Sequence, residues 1–368
     1  MIIGVPKEIK TRENRVGLVP GGVAILSKAG HEVLMEAGAG QGVGIVDSAY
    51  KEAGAKIITS ADEVWKSAEM IIKVKEPVPA EYERMQSGQV LYTYLHLAAD
   101  KPLTDALLKK KVTSIAYETM EAPDGSLPLL KPMSEVAGRM AVQVGAHCLE
   151  KHIGGKGLLL GGVPGVRRGR VAIIGGGVVG LNSIKIAVGL GAQVTVLDVD
   201  AARLAWLDDI FGTAITTLMS NPESIAQCAA EADLLVGAVL VTGAKAPTLV
   251  TRGMVKAMEP GSAIVDVSID QGGAIETIRA TTHDDPVYVD EGVIHYGVTN
   301  IPGAVPMTST YALTNVTLPY AVQIANQGIA SALEQSLMIR TGLNTHDGRL
   351  MHSAVGTALQ MPHESYQS

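Results

Sequence analysis

The feature that most constrains this chain is a ten-residue segment. Val171 to Gly180 reads VAIIGGGVVG, and Gly175, Gly177 and Gly180 fill the pattern G-x-G-x-x-G. Four apolar residues precede the first glycine, as in a buried strand. Leu181, Ile184 and Val188 follow at helical spacing. In a strand–turn–helix unit the first glycine permits the tight turn and the second lets a pyrophosphate approach the backbone. The third lets helix and strand pack closely, and the helix N-terminus faces the phosphates. The pattern alone is weak evidence. Here a second strand, AQVTVLD, ends at Asp198, 23 residues after Gly175. That is close to the ~20 residues expected for the acid that hydrogen-bonds a ribose diol. The bland alternative is a glycine turn in some other α/β protein beside a surface aspartate. An acid at this place repels a 2′-phosphate, so the cofactor expected is NAD rather than NADP. Arg203 complicates that choice: it is either a partner for such a phosphate or a solvated helix residue.

Around this unit, short apolar strands alternate with helical stretches, the pattern of parallel α/β architecture. The first third offers strands at 1–5, 31–35, 55–58, 69–74, 89–95 and 112–118. One long helix is expected from Ser134 to His152, with Ser134 as its N-cap after Pro132. The middle third repeats the series at 170–175, 192–198, 214–220, 233–241, 262–268 and 293–298. The chain then reads helical from about Thr308 to Arg340 and again from Leu350 to Leu359. The expected fold class is α/β, with two Rossmann-like doubly wound parallel-sheet domains, a cleft between them, and long helices joining them. The C-terminal helices are expected to return to the first domain.

Composition excludes several function classes. With 30 Lys plus Arg against 37 Asp plus Glu, the net charge is −7, which suits neither nucleic acid nor an anionic membrane surface. Cys148 and Cys228 stand 80 residues apart without a metal-binding pattern, so neither a disulfide scaffold nor a zinc site is expected. The histidines show no paired ligand spacing, and no metal site is inferred. The N-terminal apolar run is too short for a signal peptide. No apolar stretch approaches the ~20 residues that cross a bilayer. A cytoplasmic protein is expected.

Ligands of α/β sheets collect beyond strand C-termini, and several polar residues stand there. Lys75 follows 69–74, His96 follows 89–95, Asp270 follows 262–268, Asn300 follows 293–298, and Arg15 lies in the polar loop after the first strand. His96 suits proton exchange near neutral pH, although Leu95 and Leu97 also allow a core histidine. Asp270 is either a functional acid or a turn cap. Arg15 and Lys75 suit a carboxylate, or are ordinary surface. Ser220, Val239 and Leu240 end later strands and are placed near the cofactor by position. Glu118, at another strand end, reads as structural.

Taken together, these residues resemble the alanine dehydrogenase family. The resemblance runs through GVPKEIKTRENRVGLVP, KVKEP at Lys75, YLHLA at His96, PMSEVAGRMA at Ser134, GGGVVG, VDVSIDQGG and GVTNIPGAVPMTST. A domain of the nicotinamide nucleotide transhydrogenases shares the opening and the glycine motif, whereas the histidine in YLHLA and the acid in SIDQGG are similar to alanine dehydrogenases. The resemblance implies reversible, NAD-dependent oxidative deamination of L-alanine to pyruvate and ammonium by a homohexamer. It implies a discontinuous substrate domain, 1–133 with 305–368, and an NAD-binding domain, 134–304. Arg15 and Lys75 would hold the substrate, and His96 and Asp270 would handle protons. Ser134, Gly177, Val178, Val179, Asp198, Ser220, Val239, Leu240, Val267, Ser268, Ile269, Asp270, Val298, Thr299, Asn300 and Ile301 would line the NAD site. A metal near Glu118 is not carried over, because Gln327 stands where a partner histidine would be sought. Two alternatives remain: a hydride-exchange subunit of transhydrogenase type, and a non-catalytic NAD-binding protein. A saccharopine-type dehydrogenase is a more distant one.

Overall fold

A computed structural model describes residues 1–239 and 246–366. The chain divides into two compact units, one of residues 1–133 with 305–368 and one of residues 134–304. Six strands come first: β1 (Ile2–Val5), β2 (Glu32–Glu36), β3 (Lys56–Ile58), β4 (Met70–Ile72), β5 (Val90–Thr93) and β6 (Thr113–Ala116). The second unit supplies β7 (Arg170–Ile174), β8 (Gln193–Asp198), β9 (Ile215–Met219), β10 (Leu234–Gly237), β11 (Ala263–Asp266), β12 (Val287–Asp290) and β13 (Val293–Tyr296). The C-terminal part adds β14 (Leu343–His346) and β15 (Arg349–Leu350) to the first sheet.

The first sheet runs β15-β14-β6-β5-β4-β1-β2-β3, and the second runs β12-β13-β11-β10-β7-β8-β9. The first six strands of each unit that run parallel therefore share the order 3-2-1-4-5-6, the doubly wound arrangement. Neither sheet is wholly parallel. β14 pairs antiparallel with β6, β15 with β14, and β12 with β13. These three antiparallel strands escape a pattern search because they are short and partly polar, VYVD, LNTH and RL.

The central parallel strands β1, β4, β5, β7, β10 and β11 are largely buried because both faces are covered. Val64, Trp65, Ile71, Leu91, Leu103 and Leu107 belong to a core of the first unit. Ile174, Leu197, Leu235, Val250, Val255 and Ile264 belong to a core of the second. Several ladders stop short of the apolar run that announces them. β5 ends at Thr93 rather than residue 95, and β11 ends at Asp266 rather than 268. The remaining residues turn out of the sheet into the loops that carry the polar groups.

The helices depart from expectation at two places. The helix expected from Ser134 spans Lys131–Cys148. Ser134 is therefore inside the first turns and is not the N-cap; Pro132 sits in the first turn, where its missing N–H costs nothing. The expected 308–340 helix is three helices, Pro306–Gln327, Ile329–Gln335 and Leu337–Thr341. The chain breaks at Gly328, whose φ is 75°, and at Ser336, whose hydroxyl caps Ile339 N–H. Among the described residues no helix is long and apolar enough to cross a membrane.

Candidate active site

In the first unit the polar groups gather where β1, β4, β5 and β6 end. β1 and β4 are neighbours whose connections leave in opposite directions, the switch point at which doubly wound sheets bind ligands. Arg15 lies in the loop after β1. It is not ordinary surface: only 2% of it is exposed. Its Nε donates to Glu13 Oε1 at 2.7 Å and its Nη2 to Glu13 Oε2 at 2.6 Å. This fork fixes the plane of the guanidinium, and Nη1 lies 3.2 Å from Met133 Sδ. Burial works against the charge on Arg15, but Glu13 more than offsets it.

Lys75 follows β4 and is half-buried. Its backbone is pinned at both ends: its N–H donates to Glu8 Oε1 at 3.2 Å, and its carbonyl accepts from Thr93 Oγ1 at 3.0 Å. Its ammonium makes no hydrogen bond or ion pair among the described residues. Burial and the neighbouring Arg15 push its pKa down, so an anion placed beside it would be welcomed. Glu8 also accepts from Val74 N–H at 2.6 Å and from Lys73 Nζ at 3.0 Å. Lys73 in turn reaches Glu81 at 3.0 Å. A buried Glu–Lys–Glu network thus underlies the loop that presents Lys75.

His96 follows β5. Leu95 and Leu97 are buried, but the His96 side chain is 48% exposed. The separation arises because His96 adopts left-handed backbone, with φ 54°. The N–H groups of Leu95 and His96 donate to Glu118 Oε1 at 3.1 and 2.6 Å, which makes Glu118 the anchor of this turn. The imidazole stacks on Tyr94, with ring centroids 5.9 Å apart. Its Nδ1 lies 3.4 Å from Glu76 Oε2.

The second unit builds its site around the glycine turn. Gly175 ends β7 with φ 101°, and a Cβ there would lie 2.7 Å from the Ala238 carbonyl oxygen. Gly177 caps the helix Val178–Gly189, and a Cβ there would meet nothing within 4 Å. A Cβ on Gly180 would lie 1.9 Å from the Gly175 carbonyl oxygen. The three glycines thus serve curvature, open approach and close packing. Val178 and Val179 supply first-turn N–H groups of the helix. Asp198, at the end of β8, accepts from Gly176 N–H at 2.6 Å and Asp200 N–H at 2.9 Å. Carboxylate oxygens retain further acceptor capacity. Arg203 Nε donates to the Gly176 carbonyl at 2.6 Å, and its guanidinium covers Trp206 at 4.2 Å. It therefore braces the turn.

Ser220 N–H, after β9, donates to the Asp198 carbonyl at 2.8 Å. Val239 follows β10, and its carbonyl accepts from Ser268 Oγ at 2.7 Å. Leu240 lies outside the described residues. Val267, Ser268, Ile269 and Asp270 form a 3-10 turn with Gln271. Asp266, fully buried, caps that turn: it accepts from Ser268 N–H at 2.9 Å and Ala274 N–H at 2.7 Å. Asp270 is exposed, and its Oδ1 accepts from Asn300 N–H at 3.4 Å. Asn300 has left-handed backbone, φ 62°, between exposed Thr299 and buried Ile301. Val298 is buried and bridges to Thr281. Ser134 is half-buried in its helix.

Sequence reasoning passed over Glu8, Glu13, Glu76 and Asp266. Their only outward signal is position: each is an acid within or next to a segment that carries a selected residue. One exposed group, His147, Glu150 and His152, also comes together, with both Nδ1 atoms 3.3 and 3.4 Å from the Glu150 carboxylate. Their spacing in sequence suggested no ligand pair.

The fold and these residues define a two-unit α/β protein of the dinucleotide-binding class, with polar groups presented at the sheet ends of both units. Residues 4–137 match the N-terminal domain, and residues 141–353 the C-terminal domain, of the alanine dehydrogenase/PNT family. The chain belongs to that family. An alanine dehydrogenase of Bacillus subtilis is 62% identical over 98% of this chain and 95% of its own. One from Methanococcus maripaludis is 60% identical over 99% and 98%. A solved L-alanine dehydrogenase superposes with a TM-score of 0.96 at 54% identity, covering 98% of this chain and 99% of that one. A transhydrogenase from Sinorhizobium meliloti gives 0.83 at 26% identity, covering 96% and 100%.

Proposed function

We propose that this chain catalyses the reversible, NAD-dependent oxidative deamination of L-alanine to pyruvate and ammonium. The observation that carries the reading is the identity of 60 to 62% with alanine dehydrogenases over almost the whole chain. The polar groups at the sheet ends support it. Residues 1–133 with 305–368 would receive the substrate, and residues 134–304 the cofactor. The second unit's glycine turn, with open space at Gly177 and a carboxylate at Asp198, fits an NAD pyrophosphate and ribose. Bound NAD would supply the hydride acceptor; the rest of the chemistry falls to the protein.

Arg15, its plane set by Glu13, and the ammonium of Lys75 bind the alanine carboxylate and orient the α-carbon. Holding the reactant in one pose converts an encounter into a positioned step. Loss of hydride from the α-carbon leaves iminopyruvate. Water adds to the imine, and the carbinolamine collapses to pyruvate and ammonia. Both steps move protons, and His96 and Asp270 are the groups assigned to carry them. A cytoplasmic homohexamer is the compartment and assembly that the family likeness supports.

The test is an assay of NADH formation from NAD with a panel of small L-amino acids, and of NADH oxidation with pyruvate and ammonium. Turnover with alanine, and its reversal, is expected. NADH binding without turnover of any amino acid would replace this reading with a hydride-exchange module.

A further inference from the structure

We propose that Glu76 is a positioning residue for His96: its carboxylate holds the Nδ1 side of the imidazole and leaves Nε2 to exchange the proton with substrate. This rests on the alanine-deaminating reading above. Glu76 comes directly after Lys75, in the loop that follows β4. Its Oε1 takes an ion pair from Lys10. Its Oε2 is buried and has no hydrogen-bond partner among the described residues. A buried acceptor left unmade is costly. His96 Nδ1 lies 3.4 Å from it.

The rest of His96 is already fixed. Its N–H is held by Glu118, its backbone is left-handed, and its ring lies on Tyr94. With Nδ1 already 3.4 Å from Oε2, the contact with Glu76 needs only a better aim of the ring to become a hydrogen bond. Catalytic hydrogen bonds that are long in the unliganded enzyme tighten when the reacting complex forms. The charged and titratable groups facing the pair are Lys10 and Lys75, with Glu118 behind the His96 backbone and Tyr82 near Glu76. Burial alone would raise the Glu76 pKa, but His96, Lys75 and Lys10 together hold it well below the usual carboxylate range. An anion therefore waits beside the imidazole whenever it takes up a proton.

A merely structural Glu76 would act through Lys10, as one half of a loop ion pair. The experiment separates the two with Glu76→Gln, Glu76→Asp and Lys10→Met, measuring kcat, KM and the pH profile of alanine oxidation. NADH affinity and melting temperature serve as folding controls. For Glu76→Gln we expect kcat to fall about tenfold or more with KM within about twofold, and the acidic limb of the profile to move down by about one pH unit. Glu76→Asp should recover part of the loss, and Lys10→Met should cost less than about threefold. An unaltered kcat and profile in Glu76→Gln overturns the inference, as does a Lys10→Met variant that loses as much. If Glu76→Gln does not fold, Glu76→Asp decides by the same profile. A wild-type protein that forms no NADH from alanine overturns the underlying reading and the inference with it; a working wild type beside an unaffected Glu76→Gln overturns the inference alone.

Discussion

Asp266 sits at the end of β11 with no exposed surface and both carboxylate oxygens engaged by backbone N–H groups. Burial outweighs those hydrogen bonds and raises its pKa from 3.8 to about 6. The folded protein thus holds this proton more tightly than the unfolded chain does. The destabilising contribution of the charged form is absent below about pH 4 and complete above about pH 6, and it amounts to about 3 kcal/mol. Asp266→Asn cannot titrate. Denaturant unfolding of both proteins should therefore show wild type gaining about 2 kcal/mol on Asp266→Asn between pH 6.5 and pH 4, the remainder appearing only below the unfolded pKa. A difference that stays flat across this window would refute the assignment. The contrast with Asp270 shows how far single residues are legible. Asp270 was visible because it stands past the strand among polar neighbours. Asp266 is embedded in SAIVDVS, where only the three-dimensional turn tells that its carboxylate caps the loop. Glu76 was likewise adjacent to a selected lysine, but its contact with His96 depends on the loops after β4 and β5 lying side by side.

The strand–turn–helix unit at Gly175 was the most legible element, because each glycine answers to a separate steric demand within a few residues. Gly180→Ala places a methyl group 1.9 Å from the Gly175 carbonyl oxygen, so the helix must move off β7. Overpacking of this kind costs ~1–3 kcal/mol, and we expect both a lower melting temperature and weaker NADH binding by about tenfold. Gly177→Ala should behave differently. Its φ is −65°, its ψ of −155° lies at the edge of the extended range, and its Cβ direction is open, so melting should fall far less than in Gly180→Ala while NADH affinity falls, because the methyl group would enter the phosphate approach proposed above. Fluorescence titration with NADH and thermal melts distinguish the two; equal behaviour in both assays would contradict the separate roles. Elements whose identity depends on partners were less legible. The strands β12, β14 and β15 are defined by the edges they pair with, and the Glu8–Lys73–Glu81 network joins acids from separate segments around one lysine.

At the scale of the molecule, the first unit is completed only by the end of the chain. β14 pairs with β6, where the Thr345 and Ser114 hydroxyls meet at 2.8 Å. Leu350 and Val355 enter the same core as Leu95 and Leu97. The helix Ser353–Leu359 packs against the 3-10 turn Leu97–Ala99, directly after His96. A helix read near 350–359 was visible in the sequence, but not what it supports, since its partner lies some 250 residues earlier in the chain. Val355, 4% exposed, is the side chain through which this support is best tested. Val355→Asp would bury an unpaired carboxylate, a penalty of several kcal/mol that releasing the helix avoids. The turn that aims His96 then loses its backing, whereas the glycine turn belongs to the other unit. We expect kcat for alanine to fall about tenfold or more, with NADH affinity within about twofold of wild type. Parallel loss of both would mean that the substitution unfolds the whole chain, and retention of both would mean that the C-terminal helix does not hold the His96 turn in place.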